Sequence, residues 1–149
     1  MVAAHADKPT VYKIEDMPWE LKPQVGMRRT ALRTKNSLYI FMEIDPKQAK
    51  ASGITEAPHN HPFDTMLIVQ QGRLILEIDS EQHEMTGGSA IVIPAFAMHR
   101  GLPTGESMCS VIEVFSPVRR DYVYLTSHQS ELFDDQGILW IKEGGKSWT

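Results

Sequence analysis

Three histidines stand in a pattern that suits metal binding. His59 and His61 lie two residues apart in Pro-His-Asn-His-Pro, and His99 follows a short apolar run. Residues two apart on an extended strand project from the same face, so both imidazoles can reach one point. Three neutral imidazoles that converge suit a divalent transition metal with positions left open for water or substrate. We therefore predict a metal site formed by these three residues.

Short strand-like runs separated by turn residues must position the histidines. Residues 37–45 alternate cleanly, with Leu38, Ile40 and Ile44 on one face. Further strands are predicted at residues 65–70, 73–79, 83–85, 90–93, 110–115, 121–125 and 137–141. Residues 46–52 are predicted to be a surface connection. Many short strands at this spacing indicate an all-β sandwich or barrel.

Length and charge limit the partners. A chain of 149 residues has the length of one domain, and its net charge of -4 disfavours nucleic acid or an anionic membrane as a main partner. The first residues contain no long apolar stretch, and the single Cys109 cannot form an intrachain disulfide. We expect a cytoplasmic protein that acts on a small-molecule substrate.

The spacing around the first two histidines resembles a known superfamily. Gly53-x5-His59-x-His61-x3-Thr65-x6-Gly72 is similar to the first cupin motif, in which a glutamate usually occupies the fourth of these positions. A threonine hydroxyl is short and seldom binds such metals. The resemblance, with this departure, implies a site of three histidines completed by water.

The second cupin motif has a counterpart as well. Gly88-x5-Pro94-x-Phe96-x2-His99 resembles it, with a phenylalanine at the usual turn glycine. That turn must accept a side chain, and we expect the ring to wall the pocket. The resemblance implies a single-domain cupin β-barrel, a double-stranded β-helix of jelly-roll type, over residues 1–149. Its motif core is residues 53–99, with an irregular tail at 1–8 and a C-terminal extension at 126–149.

A finer resemblance lies downstream. Residues 111–122, Val-Ile-Glu-Val-Phe-Ser-Pro-Val-Arg-Arg-Asp-Tyr, look like a segment of the small pectin-degradation cupins that turn unsaturated uronates into keto forms. Residues 27–29, Met-Arg-Arg, resemble the arginines near the start of that group. Carried over by position, Glu113 takes the place of a pocket aspartate, Phe115 of an aromatic wall and Arg119 of a basic residue. The alternative interpretation is that Glu113 and Arg119 are a paired strand residue and its surface partner.

Three function classes stay open. The first is a metal-dependent lyase or isomerase that acts on a small oxygenated acid or a sugar-derived substrate, in which Glu113 moves a proton and Arg119 binds a carboxylate. The second is a mononuclear three-histidine non-haem iron dioxygenase. The third is a non-catalytic barrel that binds a small ligand. The cofactor is a divalent transition metal, with iron, zinc, nickel and manganese all compatible with imidazole ligands, and cupins of this size commonly form homodimers.

Overall fold

The structure is a computed structural model that describes residues 9–129. Over these residues the strands, in chain order, are β1 (Glu20–Lys22), β2 (Met27–Arg33), β3 (Leu38–Ile44), β4 (Thr65–Gln71), β5 (Arg73–Ile78), β6 (Glu81–Thr86), β7 (Ser89–Ile93), β8 (His99–Pro103) and β9 (Cys109–Phe115). One α-helix, α1 (Pro46–Ser52), follows β3. Short 3₁₀ helices lie at Ile14–Asp16, Pro23–Val25 and Arg120–Gln129.

The strands form two antiparallel sheets. The larger has the order β1-β2-β3-β9-β4-β7, and the smaller has the order β6-β5-β8. Inward side chains of both sheets share one core, which includes Leu67 and Val69 from the larger sheet and Leu74 and Leu76 from the smaller. The predicted all-β architecture is therefore confirmed, and the alternating face of β3 does point inward, with Leu38 and Ile40 almost fully buried.

A glycine allows the chain to cross from one sheet to the other between β4 and β5. Gly72 has a φ of +83°, and a Cβ atom at this position would lie 2.5 Å from the carbonyl oxygen of Met108. A side chain here would meet both a strained backbone conformation and a direct clash. The crossing places β5, and with it β8, opposite the larger sheet.

The segment predicted as a plain connection, residues 46–52, contains the helix α1. A side-chain oxygen of Asp45 accepts hydrogen bonds from the backbone N–H groups of Lys47 (3.0 Å) and Gln48 (3.3 Å). Pro46 supplies the first helical position, and Gly53 ends the helix with a φ of +68°. An N-cap aspartate, a proline and a terminal glycine are together sufficient to fold one short helix.

The strand predicted at residues 121–125 is wrong. These residues belong to the 3₁₀ segment Arg120–Gln129, in which Val123, Thr126 and Gln129 are buried. Leu125 is buried as well, and the segment is kinked at Thr126, whose φ of -108° and ψ of 19° are not helical. The predicted tail at 1–8 and the strand at 137–141 lie outside the described residues, as does the predicted C-terminal extension beyond residue 129. Within residues 9–129, no helix is long and apolar enough to cross a membrane.

Candidate metal centre

Backbone pairing brings the two histidine-bearing stretches together. The N–H of His59 donates to the carbonyl of His99 at 3.0 Å, and the N–H of His99 donates back at 2.9 Å. Beside this pair, the N–H of Phe96 donates to the carbonyl of His61 at 2.8 Å. Residues forty positions apart in the chain are thus held side by side at the start of β8.

The three imidazoles converge. The ring centroids are 4.4 Å apart for His59 and His99, 4.9 Å for His61 and His99, and 6.0 Å for His59 and His61. One ring nitrogen from each lies within 4.8 Å of the other two. Metal–nitrogen bonds of about 2.0–2.1 Å place two donors of one ion at most about 4.2 Å apart, so a bound cation would draw any wider pair together. The donor set and its spacing fit a divalent transition metal.

Hydrogen bonds orient the two more deeply buried rings. Nδ1 of His61 lies 3.1 Å from the carbonyl oxygen of Phe63, and Nδ1 of His99 lies 2.8 Å from that of Ala97. A carbonyl oxygen can only accept, so each Nδ1 carries the proton and each Nε2 carries the lone pair. Nδ1 of His59 lies 3.5 Å from a carboxylate oxygen of Glu56. Acceptors at the outer nitrogen are the usual arrangement behind metal-binding histidines.

Burial also favours the form of these rings that binds metal. His61 is 4 % exposed, and burial, with a further contribution from nearby His99 and Arg119, lowers its pKa to about 4, although the hydrogen bond that His61 donates to the carbonyl of Phe63 raises it. Burial likewise lowers the pKa of His99. Both imidazoles are therefore neutral near pH 7, so no proton has to leave before a cation binds.

Thr65 faces the histidines, and its neighbour Asp64 does not. Thr65 is 1 % exposed, with its hydroxyl oxygen 3.4 Å from Nε2 of His61. Asp64 is exposed and accepts a hydrogen bond of 2.9 Å from the backbone N–H of Ala95. Among the described residues, no carboxylate joins the three-histidine cluster. Adjacent side chains at the start of β4 thus point in different directions, with Thr65 toward the histidines and Asp64 away from them.

A cavity of about 470 Å³ opens beside the cluster. Its lining includes three of the residues singled out by sequence, Thr65, Glu113 and Arg119, together with His59 and His99. The structure does not bring Phe96 to this cavity, since its ring is 66 % exposed and its backbone has a φ of +67°. The turn does accept a side chain there, as expected, but it directs that side chain to solvent.

Phe115 packs against His61 within the core. It is fully buried, and its ring meets His61 edge to face at 6.0 Å and Phe63 at 5.7 Å. Phe63 in turn stacks on His61 at 4.2 Å. The aromatic residue that the resemblance places in the wall therefore packs against a histidine ring and is not part of the cavity surface.

Glu113 brings a carboxyl group into the cavity from the middle of β9. Its strand partners are Ile40 and Leu67, so it emerges among aliphatic side chains. Burial, with a smaller contribution from Glu56, raises the pKa of Glu113 to about 7, although Arg119 and Arg29 lower it. A carboxyl group with such a pKa can both release and accept a proton near neutral pH.

Arg119 is held in one orientation. Its guanidinium group binds both carboxylate oxygens of Asp121, at 2.8 and 3.0 Å, and lies over the rings of Tyr122 at 4.0 Å and Phe115 at 5.2 Å. The side chain is only 12 % exposed. A surface partner role for Arg119 is therefore wrong, because the group is fixed against the cavity by an ion pair and two rings.

A second arginine, Arg29, also lines the cavity, although its place there was not predicted from the sequence. Arg29, 7 % exposed on β2, donates to Glu20 at 3.0 Å and to the hydroxyl of Tyr124 at 2.9 Å, and lies 4.6 Å from the ring of Tyr122. Its neighbour Arg28 points outward to Glu43. Strand alternation could have predicted an inward-facing arginine here, since one of two adjacent strand residues faces inward.

One family matches the central part of the chain. The family described as "Cupin domain" (Cupin_2) matches residues 41–115, about half of the chain. This chain belongs to the cupin family. The match begins within β3 and ends with β9, so it contains His59, His61 and His99 of the cluster as well as Glu113. No curated protein sequence matches the chain significantly.

Solved structures share the cupin's fold. KdgF from Halomonas sp. is 24 % identical, with 76 % of this chain and 98 % of that one covered and a TM-score of 0.61. An RmlC-like cupin from Shewanella frigidimarina is 20 % identical, with 78 % and 97 % covered and a TM-score of 0.60. A sugar phosphate isomerase of the cupin superfamily from Silicibacter pomeroyi is 15 % identical, with 74 % and 77 % covered and a TM-score of 0.59. At these identities the likeness concerns the fold.

Proposed function

We propose that this cupin is a metal-dependent enzyme that moves a proton on a small oxygenated acid, by lyase or isomerase chemistry. The observation that carries the proposal is the position of Glu113, whose carboxyl group shares one cavity with His59 and His99 of the three-histidine cluster and has a pKa raised to about 7. A non-catalytic barrel that binds a small ligand needs the cavity, but it does not need a proton-transfer group beside a metal site.

The proposed ligands are His59, His61 and His99, with Thr65 facing the same point but too short to replace a carboxylate. A divalent ion bound there would supply Lewis-acid polarisation of a carbonyl or carboxylate oxygen. The backbone acceptors at Phe63 and Ala97 fix which nitrogen of His61 and His99 faces the ion. This arrangement holds the substrate oxygen at a defined end of the cavity.

Glu113 is the proposed acid and base. Near pH 7 it exists in both protonation states, so it can take a proton from a carbon or oxygen of the substrate and return it to another atom. Arg119, locked by Asp121, is the proposed binding group for a substrate carboxylate, since a guanidinium presents several N–H donors in one plane. Together they support conversion of an enol to its keto form.

Replacing Glu113 by Gln tests the proposal, because the change keeps the side-chain shape and removes the titratable carboxyl group. We expect the variant to bind a substrate or product analogue within a few-fold of wild type while turnover falls by about 10²–10⁴. The matched control is Glu43→Gln on β3, where the carboxylate binds Arg28 outside the cavity. Retained turnover in the Glu113 variant would overturn the assignment.

The dioxygenase is the second candidate, favoured by the absence of a carboxylate from the three-histidine cluster among the described residues. Metal content and oxygen use separate the two. Ferrous iron with oxygen uptake supports a dioxygenase, whereas zinc, nickel or manganese with undiminished anaerobic activity supports proton transfer. The homodimer and the cytoplasmic location stay predictions from the sequence.

A further inference from the structure

The cavity changes character along the strands that form it. On β4 the lining passes from Thr65 to Leu67, and on β8 it passes from His99 to Leu102. On the facing strands it continues over Ile40, Leu74 and Leu76. These side chains are aliphatic and carry no hydrogen-bonding group, so the lining on these strands is apolar, with the carboxyl group of Glu113 on β9 standing among them. Polar residues such as Gln24 and Lys50 also line the cavity, and both are exposed to solvent.

An apolar interior selects against a substrate that carries hydroxyl groups on every carbon. Hydroxyls placed against Leu67, Leu74 or Leu76 would lose water and gain no partner. Leu74 and Leu76 are 3 % and 2 % exposed, so no surface water replaces the lost bonds. A hydrocarbon or aromatic group at the same place would instead displace water from apolar surface.

Two arginines mark where an anionic group would lie. Arg29 and Arg119 both contact the ring of Tyr122, at 4.6 and 4.0 Å, and all three residues line the cavity. The Nε atom of Arg29 is buried and has no hydrogen-bond partner among the described residues. A buried donor of a charged group without a partner is rare in proteins, so the guanidinium group of Arg29 keeps hydrogen-bonding capacity that its ion pair with Glu20 does not use.

We infer that the substrate is amphipathic, with a carboxylate bound at Arg29 and Arg119 and a compact apolar body, aromatic or alkyl, seated between Ile40, Leu74 and Leu102. The inference rests on the proposed function, because it describes the substrate of that same site. It narrows the proposed substrate class from any small oxygenated acid to an amphipathic one, and it disfavours a free sugar acid as substrate. The ring of Tyr122 contacts both guanidinium groups.

Simple acids that need no metal test the inference independently of the proposed chemistry. The probes are 3-phenylpropionate, propionate and galacturonate, titrated calorimetrically into the purified protein with its metal and again after treatment with a chelator. We expect 3-phenylpropionate to bind at least tenfold more tightly than either of the other acids in both preparations. Equal or tighter binding of galacturonate or propionate would overturn the inference.

Two matched pairs of variants locate the binding groups. Arg29→Gln is expected to weaken 3-phenylpropionate at least fivefold, and the outward-facing Arg28→Gln is expected to leave it unchanged. Leu102→Gln is expected to weaken 3-phenylpropionate at least threefold without affecting propionate, whereas Leu21→Gln on exposed β1 changes neither. Unaltered binding by folded Arg29→Gln or Leu102→Gln protein would contradict the inference. If either variant fails to fold, the wild-type comparison of the three acids decides alone.

A failure of the proposed function gives a different result. If the protein binds no metal, or if Glu113→Gln retains turnover, the preference for 3-phenylpropionate in the chelator-treated protein still stands. If that preference is missing while Glu113→Gln is inactive, the substrate class is wrong and the chemistry is right.

Discussion

The main chains of His59 and His99 exchange two hydrogen bonds, of 3.0 and 2.9 Å. This pair closes a loop of forty residues and sets the two rings 4.4 Å apart between centroids. Neither stretch alone contains a complete ligand set, since His59 and His61 come from one and His99 from the other. The site is thus a product of the fold, and it is expected to be lost when the pairing is lost.

Position 65 offers a direct test of which way the fourth side chain points. Thr65→Glu places a carboxylate where the hydroxyl now lies 3.4 Å from Nε2 of His61, so we expect the metal affinity to rise at least tenfold. Competition with a chelator measures the change, and Thr86→Glu at the exposed end of β6 controls for added charge. A folded Thr65→Glu protein with wild-type metal affinity would show that this side chain does not reach the ion.

Glu113 makes the stability of the metal-free protein depend on pH. Its folded pKa of about 7 is above its ordinary value of 4.5, so the folded state holds the proton more tightly than the unfolded state. The stabilisation is complete below pH 4.5 and is lost as pH rises to 7, by at most about 3 kcal/mol. Relative to wild type, Glu113→Gln should therefore gain stability between pH 4.5 and pH 8 in urea unfolding. Glu43→Gln should not, and parallel profiles for all three proteins would refute the raised pKa.

His61 has the opposite pH dependence. Its folded pKa of about 4 is below 6.5, so the unfolded state binds the proton first as pH falls. The contribution of neutral His61 is complete above pH 6.5 and is lost as pH falls toward 4. In metal-free Glu113→Gln protein, where the opposing slope is gone, stability should decline below pH 6.5 by up to about 3 kcal/mol from this ring. A flat profile between pH 6.5 and 4.5 would contradict a neutral buried imidazole.

The turn at Phe96 should tolerate the glycine that other cupins have there. Phe96 has a φ of +67° and an exposed ring, so its side chain adds backbone strain and little burial. Phe96→Gly is expected to be more stable than Phe96→Ala by about 1 kcal/mol, because alanine keeps the strain. Chemical denaturation of both variants measures the difference. Alanine equal to or better than glycine would show that the conformation carries no penalty.

Much of this fold could be read from local patterns. The alternation in β3 and the paired spacing of His59 and His61 are short-range signals, since a strand's period of two fixes which residues share a face. The helix α1 also had its signals, with Asp45 and Pro46 before it and Gly53 after it, and was predicted only as a connection. Residues 121–125 were wrongly predicted as a strand because Val123 and Leu125, both buried, lie two apart as they would in a strand.

The rest of the site depends on long-range packing. Arg29 on β2 meets Tyr122 because the 3₁₀ segment after β9 folds back over β2, and no local pattern predicts that contact. Glu56 reaches His59 from the loop after α1. Phe96 failed as a pocket wall for the converse reason, since its backbone conformation at the turn determined where the ring points.

We propose that imidazoles from two stretches of chain, His59 and His61 on one and His99 on the other, bind one divalent cation. Elemental analysis of wild type, His59→Ala, His99→Ala and His83→Ala tests it most directly, with the last variant as a control on β6 outside the cluster. We predict about one metal ion per chain in wild type and His83→Ala, and a loss of at least tenfold in the other two, since two imidazoles hold a divalent ion far more weakly than three. Wild-type metal content in folded His59→Ala and His99→Ala would contradict the account.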